Sequence, residues 1–230
     1  MVSKTRMNEL VRAHDWAAVK AAVETDPAIL AFRDERGRNW LHICCMAKPK
    51  APIADSIRTA DVLLDHLDID DAAFTEGEWR ATPVWHCTAN SNTALAKHLL
   101  ERGASPDHSL FAACYNNDLE MIRLLVKHGA ALEEVAEDSN PVLDAVKFSR
   151  FLGAEELLKA GCNPDYRDSK GNTALHVMLK KGTPAEYFEM FVTAGARGDI
   201  PNRDGQTAID ILRRKRDPVW RGIAERLKHA

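Results

Sequence analysis

The chain repeats itself, and that narrows what it can fold into more than any other feature. TPVWHCTA from Thr82 leads into AKHLLERGAS, NPVLDAVK from Asn140 leads into AEELLKAGCN, and NTALHVML from Asn172 runs on to FVTAGARG. Each block opens on polar, small and aliphatic residues, continues in an apolar run and closes on a glycine followed by a small residue. The closing glycines Gly103, Gly129, Gly161 and Gly195 stand 26, 32 and 34 residues apart. A period of about 33 residues is the signature of stacked helix-turn-helix units, none of which can bury its apolar face alone.

At 230 residues the chain accommodates one or two globular domains, or a single solenoid of about six or seven such units. The hydrophobic fraction of 45% and charged fraction of 28% are those of an ordinary soluble protein. A formal net charge of −3 lacks the basic excess of a nucleic-acid binder, so no nucleic-acid partner is expected. The basic run Arg213-Arg214-Lys215-Arg216 reads as a solvated face near a helix C-terminus, where cations suit the dipole. No apolar stretch is long enough for a transmembrane helix, and MVSKTRMNELVRAHDW has no apolar core like that of a signal peptide. The five cysteines are odd in number and include no CxxC pair, which fits a reducing compartment. A cytoplasmic location without membrane attachment is therefore expected.

Along the chain, Leu10, Val11, Val19, Ala22 and Val23 predict two short helices broken near His14 and Asp15, with Asp15 as an N-cap and Asp26-Pro27 as the stop. A polar turn from Arg33 to Asn39 precedes WLHICCMA. Two prolines within Lys48–Pro52 then predict a surface loop before a helix around Thr59 to Leu67. Residues 68–81 form a longer acidic connection. After Gly103 the next helix, SLFAAC, follows so soon that no projecting turn fits. Asp204-Gly205-Gln206-Thr207 opens a last helix, and Asp217-Pro218 separates it from an amphipathic end whose charges suit a solenoid cap.

From about Lys4 to Leu227 the chain resembles the ankyrin-repeat family, whose members carry DxxGxTPLHxAA followed by VxxLL and GA. Asp168 to His176 matches best; Asp34, Gly37, Leu41 and His42 match in the first full unit, and Thr82-Pro83 in the second. The resemblance implies an all-α solenoid of five full or degenerate repeats between capping units, as one domain over 1–230. Its N-cap would span about 4–32, its repeats about 33–200 and its C-cap about 201–230. Thr82, Thr173 and Thr207 sit where a hydroxyl caps a helix, and Pro83 and Pro141 where a missing N–H costs nothing. Leu99-Leu100, Leu124-Leu125 and Leu157-Leu158 supply the apolar stripe. The motif histidine is kept at His42 and His176, where the family uses it to tie one hairpin turn to the next. Elsewhere its place falls to Trp85, Phe111, Leu143 and Asp210, and Arg80 stands where the hairpin glycine is expected before Thr82.

Catalytic and metal readings fare poorly. There is no GxSxG, P-loop, HExxH or dinucleotide fingerprint, and Asp68, Asp70 and Asp71 lack the glycine and terminal Glu of a calcium loop. In the repeat register Cys44 and Cys87 share a small-residue slot with Ala113 and Ala145. Equivalent positions on neighbouring helices stand about 8–10 Å apart, too far to share one zinc. No cofactor, metal or enzymatic activity is expected.

What the resemblance implies instead is protein binding through turn tips and the inward face of each first helix. The tips carried over are Arg36, Arg38, Glu78, Trp79, Ser169, Lys170, Asn172, Arg203, Asp204 and Gln206. The first-helix surface is Met46, Ala47, Ala89, Asn90, Tyr115, Asn116, Lys147, Phe148, Lys180 and Lys181. Trp79, Tyr115 and Phe148 are the expected anchors, since aromatics dominate interfaces. The surrounding lysines and arginines point to a partner with an acidic surface, met by a chain that is itself a monomer. The missing turn after Gly103 leaves a gap near Tyr115 and Asn116 where a partner element would insert. Two other readings stay open: an inhibitor or immunity-type protein that docks on one enzyme and blocks it, and a cysteine-based redox or metal sensor.

Overall fold

The fold is described by a computed structural model covering residues 2–48, 52–77 and 79–227. The centre of the expected proline-rich loop (residues 49–51) and the expected turn tip Glu78 lie outside these described residues.

Local chemistry sets the helix ends. Ser3 accepts the Arg6 N–H to start α1 (Lys4–Ala13), and Asp15 accepts that of Ala18 to start α2 (Trp16–Thr25), the break the sequence marks. A 3-10 turn, Pro27–Ala31, follows Asp26. The pairs α3 (Trp40–Met46) with α4 (Ile53–Leu64) and α5 (Pro83–Ala89) with α6 (Thr93–Glu101) come next, then α7 (Leu110–Tyr115) and α8 (Leu119–Lys127). After them come α9 (Pro141–Lys147) with α10 (Phe151–Lys159) and α11 (Ala174–Lys181) with α12 (Phe188–Thr193). The last pair is α13 (Ala208–Arg213) with α14 (Pro218–Leu227). Thr82 and Thr207 cap their helices as expected, and Pro83 and Pro141 occupy first helical positions. The acidic connection contains the only strands among the described residues, β1 (Thr75–Glu76) and β2 (Trp79–Arg80). They are antiparallel, with Thr75 opposite Arg80 and Glu76 opposite Trp79.

The chain divides into two compact bodies, one holding residues up to Asn116 with 127–130, the other 117–126 and 131 onward. In the first, α1, α3, α5 and α7 pack in succession as one layer, and α2, α4 and α6 as a second. Its core is built on Trp40, Leu41, Leu63, Leu95 and Leu99, all fully buried. The Trp40 indole N–H donates to the Ile29 carbonyl at 2.7 Å, so its polar edge is satisfied inside the core. In the second body α9, α11 and α13 form one layer and α10, α12 and α14 the other, around Leu157, Phe188, Phe191 and Leu212. The terminal helix buries Ile223, Ala224 and Leu227 and leaves its charges outward.

The register of α7 differs by one residue from that expected. Ser109 occupies the cap position of α7, so the third helical residue, the family's histidine position, is Ala112 rather than Phe111. By the same shift Cys114, not Ala113, shares the slot of Cys44 and Cys87. The helix starts with its apolar run at Leu110, which leaves Ser109 outside it as the cap.

The turns inside helix pairs carry a second periodic signal. His14, Ser91, Asn117, Ser149 and Gly182 all have positive φ, between 52° and 68°. Four of the five are not glycine, although the left-handed region costs an ordinary residue about 1 kcal/mol or more. The repeat keeps the conformation while varying the residue, which is why glycine spacing alone does not reveal it.

Candidate protein-interaction surface

The hairpin turns are built from acids and amides that fold back on their own backbone. Asp34 accepts the N–H groups of Arg36 and Arg38 on its carboxylate, and the Gly37 N–H donates to its carbonyl. Asp168 does the same for Lys170, Asn172 and Gly171, and Asn202 for Asp204, Gln206 and Gly205. These are Asx-type turns that preform each tip. Gly37 is obligatory: its φ is +74°, and a Cβ there would stand 1.9 Å from the Ala73 carbonyl oxygen. Ahead of α9 the turn is tighter, with Ala136 bridging Ser139 across Glu137 and Asp138. Ahead of α7 the chain makes no hairpin; the Ser105 N–H is held instead by the Asp70 carboxylate at 2.9 Å.

Histidines link one turn to the next. His42 Nε2 donates to the Asp71 carbonyl at 3.0 Å, which leaves Nδ1 to accept the Asn39 N–H. His176 Nε2 reaches the Gln206 carbonyl at 3.0 Å, and its Nδ1 accepts the Thr173 N–H. Both are positioning residues of the scaffold, as the resemblance implies. Burial, together with the neighbouring His86 at 5.0 Å between ring centroids, pushes the His42 pKa down to about 4. Burial lowers His14 and His86 in the same sense.

A third set of links was not read from the sequence. The last carbonyls of a first helix have no partner within it, and a residue from an adjacent turn supplies one. His14 Nε2 meets the Cys44 carbonyl, Asn92 donates to Cys45, and Asn116 donates to Thr88 and Ala89. In the second body Lys181 donates to Val146, Lys147 and Ser149. Their common signal is position, two to four residues beyond a short apolar run, carried by unlike side chains.

The residues expected at the binding surface accordingly divide. Arg36, Lys170, Lys180 and Arg203 are exposed. Arg38 is half-buried and paired to Asp34 at 2.7 Å. Lys147 folds back onto Ser139 and the Asp138 carbonyl, while Asn116 and Lys181 are exposed yet engaged as links between first helices. Tyr115 and Phe148 are 54% and 48% exposed, each at the C-terminal end of a first helix. Trp79 is half-buried between Phe74 and Trp85, edge-to-face at 5.0 and 5.1 Å. Asp144, half-buried on α9, has its pKa raised to about 6, chiefly by burial.

A family model described as "Ankyrin repeats (3 copies)" matches residues 84–168. The chain carries ankyrin repeats. Human inversin is 26% identical over 125 residues, which is 54% of this chain and 12% of that protein. The transient receptor potential channel pyrexia of Drosophila melanogaster is 31% identical over 158 residues, 65% of this chain and 16% of that protein. The ankyrin-repeat chain thus corresponds to a small part of these relatives. The ankyrin repeat domain of human ASB11 superposes with a TM-score of 0.69 at 18% identity over 96% of both chains, which shows the shared fold.

All five cysteines are buried, and none forms a disulfide. Burial holds the Cys44 and Cys45 thiols well above the ordinary range and pushes Cys162 up to about 12, so little reactive thiolate forms at neutral pH. Among the described residues no three His, Cys, Asp or Glu side chains gather as a metal site would require, and no helix is long and apolar enough to cross a membrane.

Proposed function

We propose that this ankyrin-repeat chain is a non-catalytic module that binds a partner protein through its turn tips and the exposed ends of its first helices. The observation that carries this reading is the placement of two large, exposed aromatic side chains, Tyr115 and Phe148, at the ends of first helices fixed by cross-helix hydrogen bonds. A surface ordered before contact loses little entropy on binding, and aromatics supply much of an interface's energy. Lys170, Lys180 and Arg203 would face acidic groups on the partner, and a partner element would enter beside Tyr115, where α7 lacks a hairpin. The test is affinity capture with wild type and a Trp79/Tyr115/Phe148 triple alanine variant of matched helical content and melting temperature. A stoichiometric partner that rebinds purified wild type and loses at least tenfold in affinity for the variant supports the reading; equal binding by both overturns the assignment of the surface.

A further inference from the structure

The first body carries an aromatic face larger than the sequence suggests. Phe74, Trp79 and Trp85 form a continuous edge-to-face ladder, with 5.0 Å between the first two centroids and 5.1 Å between the last two. Phe74 is 45% exposed, and both tryptophans are half-buried. The β1–β2 pairing sets this face rigidly. It is extended by Ala73 N–H to the Ala81 carbonyl at 3.0 Å and Ala81 N–H to the Phe74 carbonyl at 3.1 Å. Trp85 adds a helical anchor from α5.

The segment that carries Phe74 and Trp79 is acidic, and that selects the occupant. Between Asp65 and Arg80 the described residues include Asp65, Asp68, Asp70, Asp71 and Glu76 against the single cation Arg80. Arg33 pairs with Asp71, and the Arg80 guanidinium is spent on the Asp70 carbonyl. Asp65, Asp68 and Glu76 stay exposed. An acidic partner would meet repulsion here. A guanidinium gains from both the ring faces and the carboxylates, because aromatic quadrupoles attract cations and exposed carboxylates steer them.

We infer that the Phe74–Trp79–Trp85 face docks an arginine-rich segment of a partner protein, the opposite charge from that expected at the lysines of the second body. This rests on the protein-binding reading and names the partner chemistry for one part of it.

The test titrates the full 15N-labelled chain with hexa-arginine and, separately, hexaglutamate, following the indole N–H resonances assigned with Trp79→Phe and Trp85→Phe. Hexa-arginine is expected to shift the Trp79 and Trp85 indoles. Phe74→Ala is expected to weaken that binding at least fivefold, and an Asp65→Asn/Asp68→Asn/Glu76→Gln variant to weaken it and flatten its salt dependence. Hexaglutamate shifting the same resonances overturns the inference. So does hexa-arginine binding that Phe74→Ala leaves unchanged, since that is charge attraction without the aromatic face. A captured partner that needs Tyr115 and Phe148, with no hexa-arginine response, overturns this inference and leaves the protein-binding reading standing.

Discussion

The two bodies are built to one plan but satisfy their buried polar groups differently. In the first, neutral imidazoles do much of the linking: His14 and His42 each hold a backbone carbonyl from a neighbouring unit, and His86 packs edge-on to His42. In the second, a lysine ammonium performs the helix-end role, and a partly buried carboxylate, Asp144, lies on α9. The same repeat geometry thus tolerates a neutral ring, an amide or a cation at the same joint. What is conserved in space is the unpaired carbonyl that must be met, not the side chain that meets it.

Two buried groups, His42 in the first body and Asp144 in the second, respond to acid in opposite directions. His42 has a folded pKa of about 4, below its ordinary 6.5, so its neutral form contributes stability in full above pH 6.5. That contribution is lost as pH falls towards 4, by on the order of 3 kcal/mol for this group alone. Urea unfolding followed by tryptophan emission is weighted to the first body, which holds four of the five tryptophans (Trp16, Trp40, Trp79 and Trp85), and should show a falling midpoint from pH 6.5 to 4.5. A flat midpoint would break the comparison.

Glycine substitutions sharpen it within the first body. Gly37→Ala combines a left-handed φ with a clash against the Ala73 carbonyl and should cost about 2 kcal/mol or more, whereas Gly103→Ala meets open space and should cost about 1 kcal/mol. Thermal melts of the pair test this; equal losses would remove the hairpin-to-hairpin contact from the account.

Asp144 supplies the opposite sign. Its pKa is raised from 3.8 to about 6, so the neutral acid's contribution is complete below pH 3.8 and lost as pH rises through 6. Asp144→Asn should therefore stabilise the chain at pH 7.5 by on the order of 1 kcal/mol, allowing for partial exposure, and by nothing at pH 4. Paired denaturant titrations at the two pH values measure this.

The smallest effects concern the joints. Asn116→Ala and Lys181→Met each strand helix-end carbonyls and should cost about 1 kcal/mol, while exposed Lys180→Ala should stay within about 0.5 kcal/mol. Matching losses for the first two would show that the amide and the ammonium perform one task.

Much of the scaffold was legible in the chain because its signals are local. Asp15, Thr82 and Thr207 cap where they stand, Pro83 and Pro141 open helices, and His42 and His176 reach a turn at fixed offset. The α7 register differs by one residue from that expected, because Ser109 is the cap and Leu110 the first helical residue. The surface was only partly legible. Exposure of Tyr115 and Phe148 agrees with their placement at first-helix ends, but nothing in the sequence says that Arg38 is spent on Asp34 or Lys147 on Ser139.

The sequence by itself determined the repeat, the all-α class and the caps, since periodicity, proline and hydroxyl positions act within a few bonds of where they stand. Only the tertiary structure decided which polar side chains remain available to a partner. That depends on carbonyls met from about 30 residues away, as when Asn116 reaches Thr88, and on rings that a hairpin and a helix bring together, as when Trp85 joins Trp79 and Phe74. The proposed arginine-rich occupant rests on that assembly, because the aromatic faces add cation–π attraction to the charge of the acidic connection.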